Sequence, residues 1–330
     1  MSQADVLVVG AGVAGLTTAV CLAESGARVR VVARERPEDT TSTAAGAVWA
    51  PYRIGGDPAR INRWSQRSLE VFTALARSER SGVQMIVSME VGHRPVEAPD
   101  WAPLLPGVRP CASDELPAGY AHGYRFVIPA IDMPPYLAYL LARLKDAGGT
   151  FQQDAVTSLE MVSGSVPAVV NCTGMGAREL ARDATLRPVR GQLVIIANPG
   201  VEIGLVEAED EEDLTELTFL IPHRSTLVLG GTAEPDDERA YPDPDTTRAI
   251  LARCVRLDRR VAGAPVLAER VGFRPERPEV RVAGERYGDS WIWHNYGHGG
   301  AGVTLSWGCA EEITTDVLAV LGGGVPATRR

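Results

Sequence analysis

The stretch VLVVGAGVAG, Val6 to Gly15, restricts the fold of this 330-residue chain more than any other part of it. VLVVG reads as a fully apolar strand, and glycines at 10, 12 and 15 fall where that strand passes into a helix. Val13 to Ser25 then reads as an amphipathic helix closed by Gly26, and Arg28 to Ala33 as a second strand running into Arg34 and Glu35. In such a βαβ unit Gly10 makes the tight turn, Gly12 lets a pyrophosphate approach the helix N-terminus, and Gly15 lets helix pack on strand. Glu35 lies 25 residues after Gly10, where an acid accepts from an adenosine ribose hydroxyl. Gly10, Ala11, Gly12, Val13, Ala14, Gly15, Arg34 and Glu35 are therefore expected to hold a dinucleotide, with a ligand-free βαβ unit as the competing reading. The unit alone does not distinguish NAD from FAD.

Charge and composition narrow the partners. A formal net charge of −9 lacks the broad basic field that phosphate backbones require, so nucleic acid is not expected. No run approaches the roughly 18 apolar residues of a membrane span, and MSQADVLVVG enters a strand without a basic leader, so an unexported chain off the membrane is expected. Cys21, Cys111, Cys172, Cys254 and Cys309 lie far apart, an odd number without a CxxC, and read as reduced cytoplasmic thiols. The histidines, His93, His122, His223, His294 and His298, include no helical His-x-x-x-His pair, and no metal is expected.

Further segments point to the same crevice. TTSTAAGAVWAP, Thr40 to Pro51, passes from polar to small residues and suits a backbone lying along a ring or phosphate. Asp132 is expected to cap a helix bearing Tyr136, Leu137, Leu140, Leu141 and Leu144 and stopped by Gly148 and Gly149. AVVNCTGMG, Ala168 to Gly176, is a strand whose polar end would border the crevice at the carboxyl edge of a doubly wound sheet. HNYGHGGAGVTLSWG, His294 to Gly308, holds five glycines, so its backbone follows a path side chains would block or lies against a flat partner. On the residues alone it is a ligand loop of unspecified ligand, or a turn cluster. QLVIIANPG (Gln192 to Gly200) and TLVLGGT (Thr226 to Thr232) read as antiparallel strands of a second sheet. The acidic run EAEDEED, Glu207 to Asp213, reads as a solvated hairpin loop, with a lid as the alternative.

GAGVAGLTTA, AAGAVWAPY, NCTGMGAREL, VGFRPERPEVRV and HNYGHGGAGVTLSWGCA together resemble the D-amino-acid oxidase family, in its order and spacing, from GAGVAG to the C-terminus. The resemblance implies an α/β chain in which a Rossmann-like doubly wound FAD-binding domain (1–55, 132–185 and 275–330) is interleaved with a mainly antiparallel β-sheet substrate domain (56–131 and 186–274). It implies non-covalent FAD, held by the βαβ residues above together with Thr40, Thr41, Ala45, Gly46, Ala47, Val156, Thr173, Gly299, Gly300, Gly302, Val303 and Thr304. It assigns Arg274 of GFRP, held extended before Pro275, as the clamp on a substrate carboxylate, and it puts Gly300 beside the reacting centre. The implied reaction is oxidative deamination of neutral D-amino acids: hydride passes from substrate Cα to flavin N5, no side chain acts as general base, and imine hydrolysis gives a 2-oxo acid and ammonia. Oxygen then reoxidises the flavin, giving hydrogen peroxide. The oligomeric state is left open, a homodimer included.

The chain departs from the family pattern at TFLIPH, where Phe219 stands in place of a tyrosine whose hydroxyl helps bind the carboxylate; a second family tyrosine falls near Thr215. Tyr52 or Tyr124 is the candidate replacement, and without one substrate binding is expected to be weak. Alternative readings are a D-aspartate oxidase, with Arg125 or His223 as the extra cation, and a non-catalytic FAD-binding protein.

Overall fold

The computed structural model describes residues 4–208, 215–288 and 290–324. Two sheets organise them. The first has six strands in the order Arg281–Tyr287, Ser290–Tyr296, Ala168–Asn171, Val6–Val9, Val29–Ala33 and Thr150–Gln153; all neighbours run parallel except the antiparallel edge pair Arg281–Tyr287 and Ser290–Tyr296. Val6–Val9 is buried on both faces because alternate residues enter different clusters. Val6 and Val8 pack with Leu16 and Leu140, while Leu7 and Val9 pack with Leu159 and Ile292.

The second sheet has nine strands and is mainly antiparallel, with Val83–Gly92 and Gly204–Glu207 as its parallel pair. Arg187–Ala197 pairs antiparallel with Thr226–Thr232, as their alternation implied, and carries Val266–Glu276 on its other side. Leu193, Ile195, Ile221 and Val228 face the core shared with the first sheet. Val194, Ile196, Leu220 and Leu229 face the helix Pro244–Leu257.

Two local expectations change. The helix Val13–Glu24 is buried almost all round instead of amphipathic, because Gly302–Leu321 and Met133–Asp146 pack on it as well as the sheet. Asp132 stands at the N-cap of Met133–Asp146, but its side chain makes no capping bond; prolines at the start of that helix remove amides a cap would serve. Of the acidic run, residues 209 to 213 lie outside the described residues. Among the described residues no helix is long and apolar enough to cross a membrane.

Candidate active site

A cavity of about 1690 Å³ opens between the carboxyl ends of the parallel strands and the inner face of the second sheet. At one end lies the first turn of the chain. Gly10 has φ of +112°, and a Cβ there would stand 2.5 Å from the Cys172 carbonyl oxygen, so only glycine fits. A Cβ on Gly15 would run into the Gly10 carbonyl oxygen. Gly15 thus lets the helix begin hard against the strand, and it is the one expected cofactor residue that does not line the cavity. The first helical turn carries no acid, so its N-terminus presents positive dipole to the cavity. The Val13 amide donates to Ser42 Oγ at 2.9 Å, which brings the Thr40–Pro51 segment over this end. Arg34 and Glu35, paired at 3.1 Å, line the same end with Val156 and Thr173. Thr173 is held by Asn171, whose Oδ1 accepts from both its amide (3.2 Å) and its hydroxyl (2.7 Å).

At the other end two segments cross. Gly299 has φ of +54°, and a side chain there would strike the Arg53 carbonyl; a Cβ on Gly300 would stand 2.5 Å from Tyr52 Cδ1. The Gly300 amide donates to Arg53 O at 3.3 Å, and Thr304 Oγ1 donates to Ala50 O at 2.8 Å. These glycines are therefore required by the passage of residues 50–53, a demand from inside the protein. Gly302 differs: a Cβ there would meet protein no closer than 3.7 Å, so space remains on its cavity side.

Arg274, Phe219 and Tyr52 meet beside this loop and line the cavity with Gly299, Gly300, Gly302, Val303 and Thr304. Arg274 Nη1 donates to the Thr232 carbonyl at 3.0 Å, and its guanidinium carbon stands 6.0 Å from the Tyr52 ring centre. The Phe219 ring lies over Gly230, where any Cβ would overlap it, and a Cβ on Gly46 would touch it at 3.2 Å. Phe219 and Ile221 face the cavity and Leu220 faces away, as the strand period of two requires. Beyond them Trp101, Phe126, Ile128 and Val206 make an apolar wall, rimmed by Glu90, His93, Arg94, Glu97 and Glu207.

Burial sets the protonation of the groups nearest the glycine loop. His298 is enclosed, which brings its pKa down to about 4, so its ring is neutral. Asn295 Nδ2 donates to Thr18 Oγ1, leaving Asn295 Oδ1 as acceptor and His298 Nε2 as donor at 3.0 Å. Burial pushes the Cys172 thiol up to about 12, so no thiolate faces the cavity. Among the described residues no cluster of three or more His, Cys, Asp or Glu is arranged to hold a metal.

Ala11, Gly12, Thr40, Thr41, Ala45 and Ala47 also line the cavity, so the structure gathers every expected site residue there except Gly15. The candidate extra cations are elsewhere: Arg125 pairs with Glu115 at 3.0 Å, and His223 is buried; neither lines the cavity, and neither does Tyr124. Ser42, Asn295 and His298 were missed. Nothing in local spacing singles out Ser42, because its contact joins residues 29 positions apart.

A dinucleotide fits these residues. The cavity exceeds the roughly 300–1,000 Å³ of ordinary small-ligand sites. One end offers an acid-free helix N-terminus and the Glu35 side-chain carboxylate, and the other a glycine backbone with room beside Gly302.

Comparison with known proteins agrees with this geometry. The family model described as FAD dependent oxidoreductase matches residues 5–315. The chain is 50% identical over 320 residues to a D-amino-acid oxidase of Rubrobacter xylanophilus, covering 96% of this chain and 97% of that protein. It is 48% identical over 314 residues to a D-amino-acid oxidase of Streptomyces coelicolor, covering 93% and 95%. Glycine oxidase from Bacillus cereus shares the fold at a TM-score of 0.79 with 17% identity, over 98% of this chain and 99% of that one.

Proposed function

The chain belongs to the FAD dependent oxidoreductase family, and from that premise we propose that its cavity is the active site of a D-amino-acid oxidase with Arg274 as the substrate anchor. It deaminates D-amino acids oxidatively to 2-oxo acids, with release of ammonia and hydrogen peroxide, and FAD is its cofactor. When bound, FAD supplies the acceptor for the hydrogen leaving the substrate Cα and is reoxidised by oxygen.

The chain's own residues bind and orient. Gly10 to Ala14, Arg34, Glu35, Val156 and Thr173 hold the adenosine and pyrophosphate end. Thr40 and Thr41, in the segment that Ser42 ties to Val13, hold the pyrophosphate, and Ala45 to Ala47 with Gly299, Gly300 and Gly302 to Thr304 hold the ring end, Gly302 offering the open backbone. In this reading the hold is non-covalent, and the un-ionised thiol of Cys172, buried at the cavity, is in keeping with it. The segments 1–55, 132–185 and 275–330 form the FAD unit, and 56–131 with 186–274 form the substrate unit.

Arg274 pairs with the substrate carboxylate, a charge-assisted bond from a guanidinium already oriented by Thr232 O. With the carboxylate fixed there, Tyr52 and Gly300 limit the amino group to one side, and the Cα hydrogen faces the ring position only in the D-isomer. No side chain acts as general base in this reading; His298, neutral and committed to Asn295, holds the glycine loop. The apolar wall of Trp101, Phe126, Ile128 and Val206 favours neutral side chains, and Arg125 and His223, the cations expected of a D-aspartate oxidase, do not line the cavity. Five free cysteines support a reducing, cytoplasmic setting.

The observation that carries the proposal is the placing of the Arg274 guanidinium and the Gly299–Gly302 backbone on one cavity. Peroxide release from D-alanine, D-valine and D-aspartate, with L-alanine as control, tests it. Peroxide from the two neutral D-isomers is expected. A yellow protein that yields none would sink the catalytic reading.

A further inference from the structure

The carboxylate anchor proposed above is itself anchored from the opposite side of the sheet. Arg274 Nη1 is held by the carbonyl of Thr232, at 3.0 Å. The carbonyl of the preceding residue, Gly231, accepts from Arg253 Nη2, also at 3.0 Å. Arg253 belongs to the helix Pro244–Leu257, which packs on the sheet face turned away from the cavity, and it is only 7% exposed. Two arginines from opposite faces thus grip adjacent peptides of one strand.

That strand needs the grip at this point. Pairing between Glu216–Pro222 and Thr226–Thr232 jumps from Glu216 opposite Thr232 to Phe219 opposite Gly230, so Gly231 falls at a bulge in the ladder. Gly230 and Gly231 have no side chains with which to hold themselves, and glycine has the widest backbone freedom of any residue. Side chains are also excluded: Phe219 covers Gly230, and a Cβ on Gly231 would stand 2.8 Å from Leu193 Cδ2. The helix supplies what the ladder lacks. Arg253 Nη1 pairs with Glu216 Oε1 at 2.9 Å, which fixes the guanidinium across both strands of the bulge. Thr232 is secured in turn by its hydroxyl, which accepts from the Gln192 amide at 3.0 Å.

We propose that Arg253 is a positioning residue for substrate binding: it holds the Gly231–Thr232 peptide so that the Thr232 carbonyl keeps the Arg274 guanidinium aimed into the cavity. It touches neither substrate nor cofactor. The inference rests on Arg274 being the carboxylate anchor, and the test separates the two. Propionate, a carboxylate with no amino group, is titrated into the FAD-loaded protein and followed by the flavin spectrum, alongside FAD affinity and thermal midpoint, for Arg253→Met, Arg253→Lys and Arg274→Ala. Arg253→Met is expected to weaken propionate about tenfold and leave FAD affinity within twofold. Arg253→Lys, which keeps a single donor nitrogen in place of the fork, should weaken propionate about threefold. A merely structural role would lower the thermal midpoint and leave the propionate constant alone, and that result overturns the proposal. If Arg253→Met does not fold, the Lys variant decides: unchanged propionate binding refutes the positioning role. Unchanged binding in Arg274→Ala would instead remove the anchor reading, and this inference with it.

Discussion

Phe219 shares the cavity with Arg274 and Tyr52. The chain has phenylalanine where the resemblance to the D-amino-acid oxidase family implies a carboxylate-binding tyrosine, and the ring lies in the cavity between Gly46 and Gly230, on the strand adjoining Thr232. Phe219→Tyr is expected to lower KM for D-alanine a few-fold with little change in kcat, because a bond to the carboxylate is uniform in ground and transition states. The ceiling is the roughly 1.5 to 3 kcal/mol of a hydrogen bond to a charged group. Steady-state kinetics with D-alanine and D-valine decide the matter. A raised KM for both would mean that the hydroxyl is desolvated against the glycines without a partner.

At the scale of elements, the opening strand, turn and helix act as one unit because two backbones touch where Cβ atoms would stand. Gly15→Ala would drive a methyl into the Gly10 carbonyl and lift the helix Val13–Glu24 off its strand. Overpacking of this kind costs about 1 to 3 kcal/mol. The same shift displaces the Val13 amide from Ser42, so FAD affinity should fall at least tenfold while the thermal midpoint drops by several degrees. Titration of the apoprotein with FAD, beside a thermal melt, measures both. Retained affinity would show that the helix N-terminus is not held by this contact. The helix was legible from its glycines and apolar run, but its burial on all sides was not, since that depends on two helices from later in the chain.

For the whole molecule, burial links acid stability to the cavity. His298 has a folded pKa of about 4, below the roughly 6.5 of an exposed histidine. Below pH 6.5 the unfolded chain therefore binds the extra proton, so the stability His298 contributes is complete above that pH and is lost as pH falls towards 4. The loss is on the order of 3 kcal/mol at about 1.4 kcal/mol per pH unit. His294, also held low by burial, acts in the same direction despite its bond to Glu285. Denaturant melts between pH 7 and 4 should show this decline, and His298→Gln should flatten it; an equally steep decline in the variant would assign it to other groups. By itself the sequence determined the βαβ unit and the two textures of strand, because turns and strand periods are set by neighbours in the chain; the gathering of Arg274 with the glycine loop came from the resemblance to the D-amino-acid oxidase family and not from local pattern. The tertiary structure decided what those residues press against. Gly299 and Gly300 are glycine because Tyr52 and Arg53 cross them, and Thr304 closes on Ala50 across 254 positions. Arg274 is aimed by a carbonyl 42 positions away, itself secured from the far face of the sheet. No local pattern carries such contacts, since they exist only once the two sheets have closed on one another.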